Sequence, residues 1–175
     1  MVNVHPPSTP PSPDAAGGRA RFRVLLTEDR DPSPAHWARQ LPRLMQPLGV
    51  EAVIAAHAQQ ALDALDEGPL HAAVIDLATP RAPGRPVNAN EPDGLWLLNL
   101  LARHRSKPPV IVVDSRVVTP ARVHRALQHA LRLGAFSVVR RPVELEQLLA
   151  VIQRLVDRHF QGSWPGDRNP PSNFS

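Results

Sequence analysis

The feature that most constrains this chain is an alternation between residues 22 and 160. Short continuous apolar runs take turns with segments whose apolar residues recur at helical spacing. The runs at 22–27 (FRVLLT), 50–56 (VEAVIAA), 72–75 (AAVI), 110–113 (VIVV) and 136–139 (FSVV) are short and rich in Val and Ile, which reads as buried strands. Between the first two, Trp37, Leu41, Leu44, Met45 and Leu48 fall at helical spacing. Ser33-Pro34 supplies an N-cap and a first-turn proline, Pro42 predicts a kink, and Gly49 predicts the stop. Residues 59–67 read as a short helix with Ala61, Leu62 and Leu65 inward. Asp93 reads as the cap of a helix over 94–105, and Thr119-Pro120 as the start of one reaching Leu133. A last helix over 144–160 carries Leu145, Leu148, Leu149, Ile152, Leu155 and Val156 on one face. Five apolar strands alternating with five helices predict a parallel sheet covered on both faces. Right-handed crossovers then make it a doubly wound α/β fold.

Composition narrows the function classes. A chain of 175 residues has room for one domain of ordinary size, and 42% apolar with 21% charged residues excludes wholesale disorder. With no cysteine, a disulfide scaffold, a thiol nucleophile and a Cys-based metal site are impossible. No apolar run approaches the roughly 18–20 residues of a membrane span, and the start MVNVHPPSTP has no signal-peptide pattern, so a cytoplasmic protein is expected. The proline-rich residues 1–20 are expected to form a disordered leader, 22–160 the compact domain, and 161–175 a disordered tail. Lys107 is the only lysine, so the basic side is almost wholly arginine. A net charge of +4 without an interleaved aromatic pattern or a helix-turn-helix gives no expectation of direct DNA binding.

The strands share one property at their carboxyl ends. The first leads into Glu28-Asp29, the third into Asp76, the fourth into Asp114-Ser115 and the fifth into Arg140-Arg141. Doubly wound sheets bind ligands at that edge. With strand order 2-1-3-4-5, strands one and three are neighbours and Glu28, Asp29 and Asp76 converge. Grouped carboxylates repel one another, and a magnesium ion, which takes oxygen ligands and keeps several waters, suits them.

These residues resemble the receiver domain of bacterial two-component response regulators, over nearly all of 22–160. The acidic pair in LLTEDR (Glu28, Asp29), the aspartate of VIDLATP (Asp76), Pro80 four residues on, the Asp93-Gly94-Leu95 helix start, Leu133-Gly134-Ala135 before the last strand and Arg141-Pro142 after it fall in the family's order. The resemblance implies a flavodoxin-like sheet of order 2-1-3-4-5 with helices on both faces, and a cis peptide before Pro142. It also implies a phosphoacceptor at Asp76 and Mg²⁺ held by Glu28, Asp29 and Asp76. The phosphoryl source would be a sensor histidine kinase or phosphotransfer protein, and the output a contact with a downstream protein target or a homodimer. A stand-alone phosphorelay receiver is therefore expected. It would not be an enzyme beyond self-phosphorylation and autodephosphorylation at Asp76.

The sequence also departs from the family. Asp114 stands where the family has a Ser or Thr, with Ser115 one residue on. Arg141 replaces the family's lysine, either as a phosphate contact or as a standing partner of Asp76 or Asp114. Val138 replaces the switching aromatic. The stretch between Pro80 and Asp93 is longer than the family's and borders the crevice, within reach of Arg81 and Arg85, as a lid, a partner-binding loop or a tolerated insertion. A phosphorylation-independent pseudo-receiver, acting as a protein-binding module, is the alternative. A haloacid-dehalogenase-type phosphatase needs an aspartate where Ala78 stands, and a dinucleotide enzyme needs a glycine fingerprint where TEDRDPSP stands. On the helix from residue 120, Arg122, Arg125, His129 and Arg132 form one face, either a partner surface or a solvated stripe. Trp37 is expected in the core and Trp96 on a buried helix face; Trp164 in the tail supports no assignment.

Overall fold

The computed structural model describes residues 22–28, 36–85, 92–113 and 120–160, and of 120–123 the backbone alone. The proposed leader and tail, and Ser33-Pro34, lie outside these residues. Five strands, β1 (Phe22–Thr27), β2 (Val50–Ala55), β3 (Ala72–Asp76), β4 (Val110–Val113) and β5 (Ser137–Val139), form one parallel sheet of order β2-β1-β3-β4-β5, as expected. The helices are α1 (Trp37–Met45), α2 (Ala58–Glu67), α3 (Asp93–Arg103), α4 (Pro120–Arg132) and α5 (Leu145–Phe160).

Strand alternation sorts the core into two layers. Val24, Leu26, Val74, Ile111 and Val113 point to α1 and α5, where they meet Trp37, Leu41, Met45, Leu148, Ile152 and Leu155. Leu25, Ala73, Ile75 and Val112 point the other way, to Leu65 of α2, Leu97, Leu98 and Leu101 of α3, and Leu127 and Ala130 of α4. Every residue of β3 is buried, which is why that strand reads as one uninterrupted apolar run up to its terminal Asp76. β2 is an edge strand, and its Glu51 and Ile54 are exposed.

Several boundaries differ from the sequence reading. The N-cap of α1 is His36, whose Nδ1 accepts a hydrogen bond from the Ala38 N–H at 3.3 Å. The α-helix continues past Pro42 to Met45 and then tightens into a 3-10 turn, Gln46–Leu48. That turn ends at Gly49 with φ of 77°, a left-handed position glycine takes without penalty. Leu44 and Leu48, which share the helical spacing of Trp37, Leu41 and Met45, are exposed at 45% and 55%. Asp93 is the first residue of α3 and Pro92 occupies the cap position, so the Asp93 carboxylate does not cap the helix; it binds Arg81 instead. In α5, Leu148, Val151, Ile152, Leu155 and Val156 are buried, close to the predicted face.

Candidate functional site

The site is built where β1 and β3 end side by side. Asp76 closes β3 with no exposed surface. Its backbone N–H donates to Thr27 Oγ1 at 2.9 Å, and Thr27 Oγ1 is 2.6 Å from Thr79 Oγ1. Both threonines are fully buried, so each hydroxyl meets part of the other's hydrogen-bonding need in a place water does not reach. Beyond the strand the chain turns: the Thr79 N–H donates to the Asp76 carbonyl at 3.1 Å, and the Ala78 N–H donates to Asp76 Oδ1 at 2.8 Å. Leu77 N–H reaches across to the Val113 carbonyl of β4 at 3.0 Å. The Asp76 main chain is thus held through the Thr27 hydroxyl, which Thr79 backs, and one oxygen of its carboxylate by the Ala78 N–H.

Its other oxygen meets a cation. Arg141 Nη2, from the loop between β5 and α5, is in ion-pair contact with Asp76 Oδ2, and the Arg141 side chain is 8% exposed. The Arg141-Pro142 peptide is cis, as the resemblance implied. Of the partners the sequence left open for Arg141, the described residues show Asp76. Asp114 and Ser115 lie outside them.

Glu28 follows Thr27, and its N–H donates to the Ala55 carbonyl of β2 at 3.0 Å. Its carboxylate is 3.3 Å from Arg39 Nε of α1. Asp29 lies outside the described residues, so of the three expected metal ligands only Glu28 and Asp76 are placed. Among the described residues no group of three His, Asp or Glu side chains is close enough to hold a metal ion.

The loop after Pro80 is anchored next to this edge. The Arg81 N–H donates to Asp93 Oδ2 at 3.3 Å, Arg81 Nε is 3.6 Å from Asp93 Oδ1, and its guanidinium lies 4.2 Å from the centre of the Trp96 ring. Arg81 therefore holds the stem of the long stretch to α3 and does not enter the crevice; Arg85 is exposed. Gly94 is required by the same close approach: a Cβ there would stand 2.5 Å from the Asp76 carbonyl oxygen and 2.6 Å from Leu77 Cα. On α4, Arg125 and Arg132 are exposed and His129 half-buried, while Ala126, Leu127 and Ala130 face the core. The side chain of Arg122 lies outside the description.

Sequence reasoning missed Thr27, Thr79 and Arg39. Thr27 is a polar residue closing an apolar strand and Thr79 lies three residues after Asp76, so both carried a weak signal. Arg39 carried none.

The five-stranded parallel sheet with its helices has counterparts among solved structures. A CheY-like receiver domain protein from Methanospirillum hungatei matches with a TM-score of 0.60 at 21% identity, covering 82% of this chain and 100% of that one. This chain folds as a receiver domain. The receiver domain of NtrX from Brucella abortus matches it with a TM-score of 0.58 at 19% identity, over 77% of this chain and 98% of that one. In sequence, an NtrX-like response regulator of Rickettsia conorii is 26% identical over 106 residues, which is 61% of this chain and 20% of the relative. The receiver fold thus spans about one fifth of the length of the curated relatives it matches. No family model matches the chain.

Proposed function

We propose that this receiver works in phosphorelay signalling, taking a phosphoryl group on Asp76 and passing the change on through a protein contact. The observation that carries the reading is the combination at one atom group: a fully buried aspartate, rooted through Ala78 N–H at Oδ1 and paired with Arg141 at Oδ2. A carboxylate oxygen of Asp76 attacks the phosphorus of a phosphohistidine or of acetyl phosphate. The new oxygen–phosphorus bond forms as the bond to imidazole or acetate breaks. Arg141 stands where it exchanges the carboxylate for the transferred group, and its planar fork suits two phosphoryl oxygens. Glu28, Asp29 and Asp76 are the hard oxygen donors that would hold magnesium, whose charge offsets that of the incoming phosphoryl group. The fitting sources are a sensor kinase or phosphotransfer protein, and the fitting targets a downstream protein or a second copy.

A second reading, a pseudo-receiver that binds a partner without phosphoryl control, is favoured by the same Arg141–Asp76 contact if it never opens. Intact mass after incubation with acetyl phosphate and Mg²⁺ separates the two. Gain of one phosphoryl group, lost in Asp76→Asn, supports the phosphorelay reading; an unchanged mass supports the pseudo-receiver.

A further inference from the structure

At the opposite edge of the sheet, where β4 and β5 begin, the surface folds into a cavity of about 530 Å³. β3 is five residues long, so at about 3.3 Å per residue this edge lies on the order of 15 Å from Asp76. The volume falls in the range of small-molecule sites. Leu133, Ala135 and Phe136, all half-buried between α4 and β5, give it an apolar wall, and Lys107, Arg158 and His159 stand around it.

Two observations give the cavity a chemistry. The first is charge sign. None of the residues lining it is acidic, while two are cationic and one is an imidazole. Asp157 is exposed on α5 beside Arg158 but is not among the lining residues. Among the described residues no carboxylate forms an ion pair with Lys107 or Arg158. The second is backbone conformation. Lys107 has φ of 35°, a region side chains adopt at a cost, and it is the only non-glycine residue with positive φ among those described. Its N–H donates to the His104 carbonyl at 3.1 Å, which turns the chain so that Lys107 enters the rim just before Pro108 and Pro109. The Phe136 and His159 rings meet edge-on at 5.7 Å, and the Phe136 N–H donates to the Val110 carbonyl at 2.7 Å, so the wall is held in place.

We infer that this cavity binds a small organic anion, one acidic group on a flat apolar body. The acidic group lies against Lys107 and Arg158, and the apolar body lies against Leu133, Ala135 and Phe136. Such a site would give the domain a ligand input separate from Asp76.

The test uses the full chain and the fluorescent probe anilinonaphthalene sulfonate, with backbone amide NMR recorded along the titration. Saturable one-to-one binding is expected, with shifts concentrated at Lys107, Val110, Gly134, Ala135 and Phe136, and with weakening as salt rises. Lys107→Gly removes the ammonium at a position whose φ glycine accepts, so the fold is retained while affinity falls by about threefold to fivefold; Arg158→Gln does the same. Absence of saturable binding, shifts centred elsewhere, or an affinity that neither substitution changes would overturn the assignment.

Discussion

Arg141 and Asp76, 65 residues apart in sequence, meet as a buried ion pair at the carboxyl edge of the sheet. The pair joins the end of β3 to the loop after β5, across β4. A buried carboxylate left without its cation is costly, commonly about 3–5 kcal/mol. Arg141→Ala should therefore lower unfolding free energy by about that much, and Arg141→Lys by less, since an ammonium keeps the charge. Urea unfolding of Arg141→Ala, of Asp76→Asn and of the variant carrying both completes a double-mutant cycle. The double variant should lose less than the sum of the singles.

Thr27 contributes a hydroxyl and nothing else that valine would lack. Thr27→Val keeps the volume but leaves the Asp76 N–H and Thr79 Oγ1 without that partner in a dry site. The loss should be about 1–3 kcal/mol, while Thr27→Ser, which keeps the hydroxyl, should lose much less of the hydrogen-bond term. Denaturant midpoints measure both.

Gly94 is required by the approach of α3 to the turn after β3. Gly94→Ala puts a methyl 2.5 Å from the Asp76 carbonyl oxygen, which is backbone and does not swing aside. Overpacking of this kind costs about 1–3 kcal/mol. It should also disturb Asp76 itself, seen as amide shifts at 76–79 far larger than those at α5.

His71 gives the fold a pH dependence. Its imidazole is stacked on Phe22 and lies edge-on to Phe160, and its Nδ1 accepts from the Arg23 N–H at 3.0 Å. Burial pushes its pKa below the ordinary 6.5, and the Arg23 charge adds to the effect. The unfolded chain then takes up the proton before the folded one does. The contribution of His71 is complete above about pH 6.5 and is lost as pH falls through that value toward the folded pKa. Urea midpoints should drop between about pH 7.5 and pH 5.5, and His71→Phe should flatten that slope even if it lowers the absolute stability.

Why the sequence showed the sheet so plainly follows from β3 and β1. Strands covered on both faces must be apolar without interruption, and charge returns where the sheet edge meets the site, so FRVLLT and AAVID mark both the strand and its functional end. Side-chain partnerships are less visible because they depend on three-dimensional approach. Asp93 looked like a cap, since Asp before an apolar run normally is one. Yet Arg81, held twelve residues earlier in the chain, takes the carboxylate. Leu48 fits a helical stripe, but the 3-10 turn at Gln46–Leu48 breaks the period and leaves it exposed, while Leu44 is exposed within α1 itself, whose buried face is Trp37, Ala38, Leu41 and Met45. Arg141 was legible as a charge at the strand edge; which acid it meets was not, because Asp76 and Asp114 are equally plausible partners on sequence alone.

The central claim, that Asp76 with Arg141 is a phosphoryl site, is tested most directly by amide NMR of the full chain with beryllofluoride and Mg²⁺, beside the Asp76→Asn chain. The account predicts shifts at Thr27 and Glu28, at 76–79 and around Arg141, all absent from the Asp76→Asn chain. A spectrum that beryllofluoride and Mg²⁺ leave unchanged, or that changes equally in both chains, would contradict it.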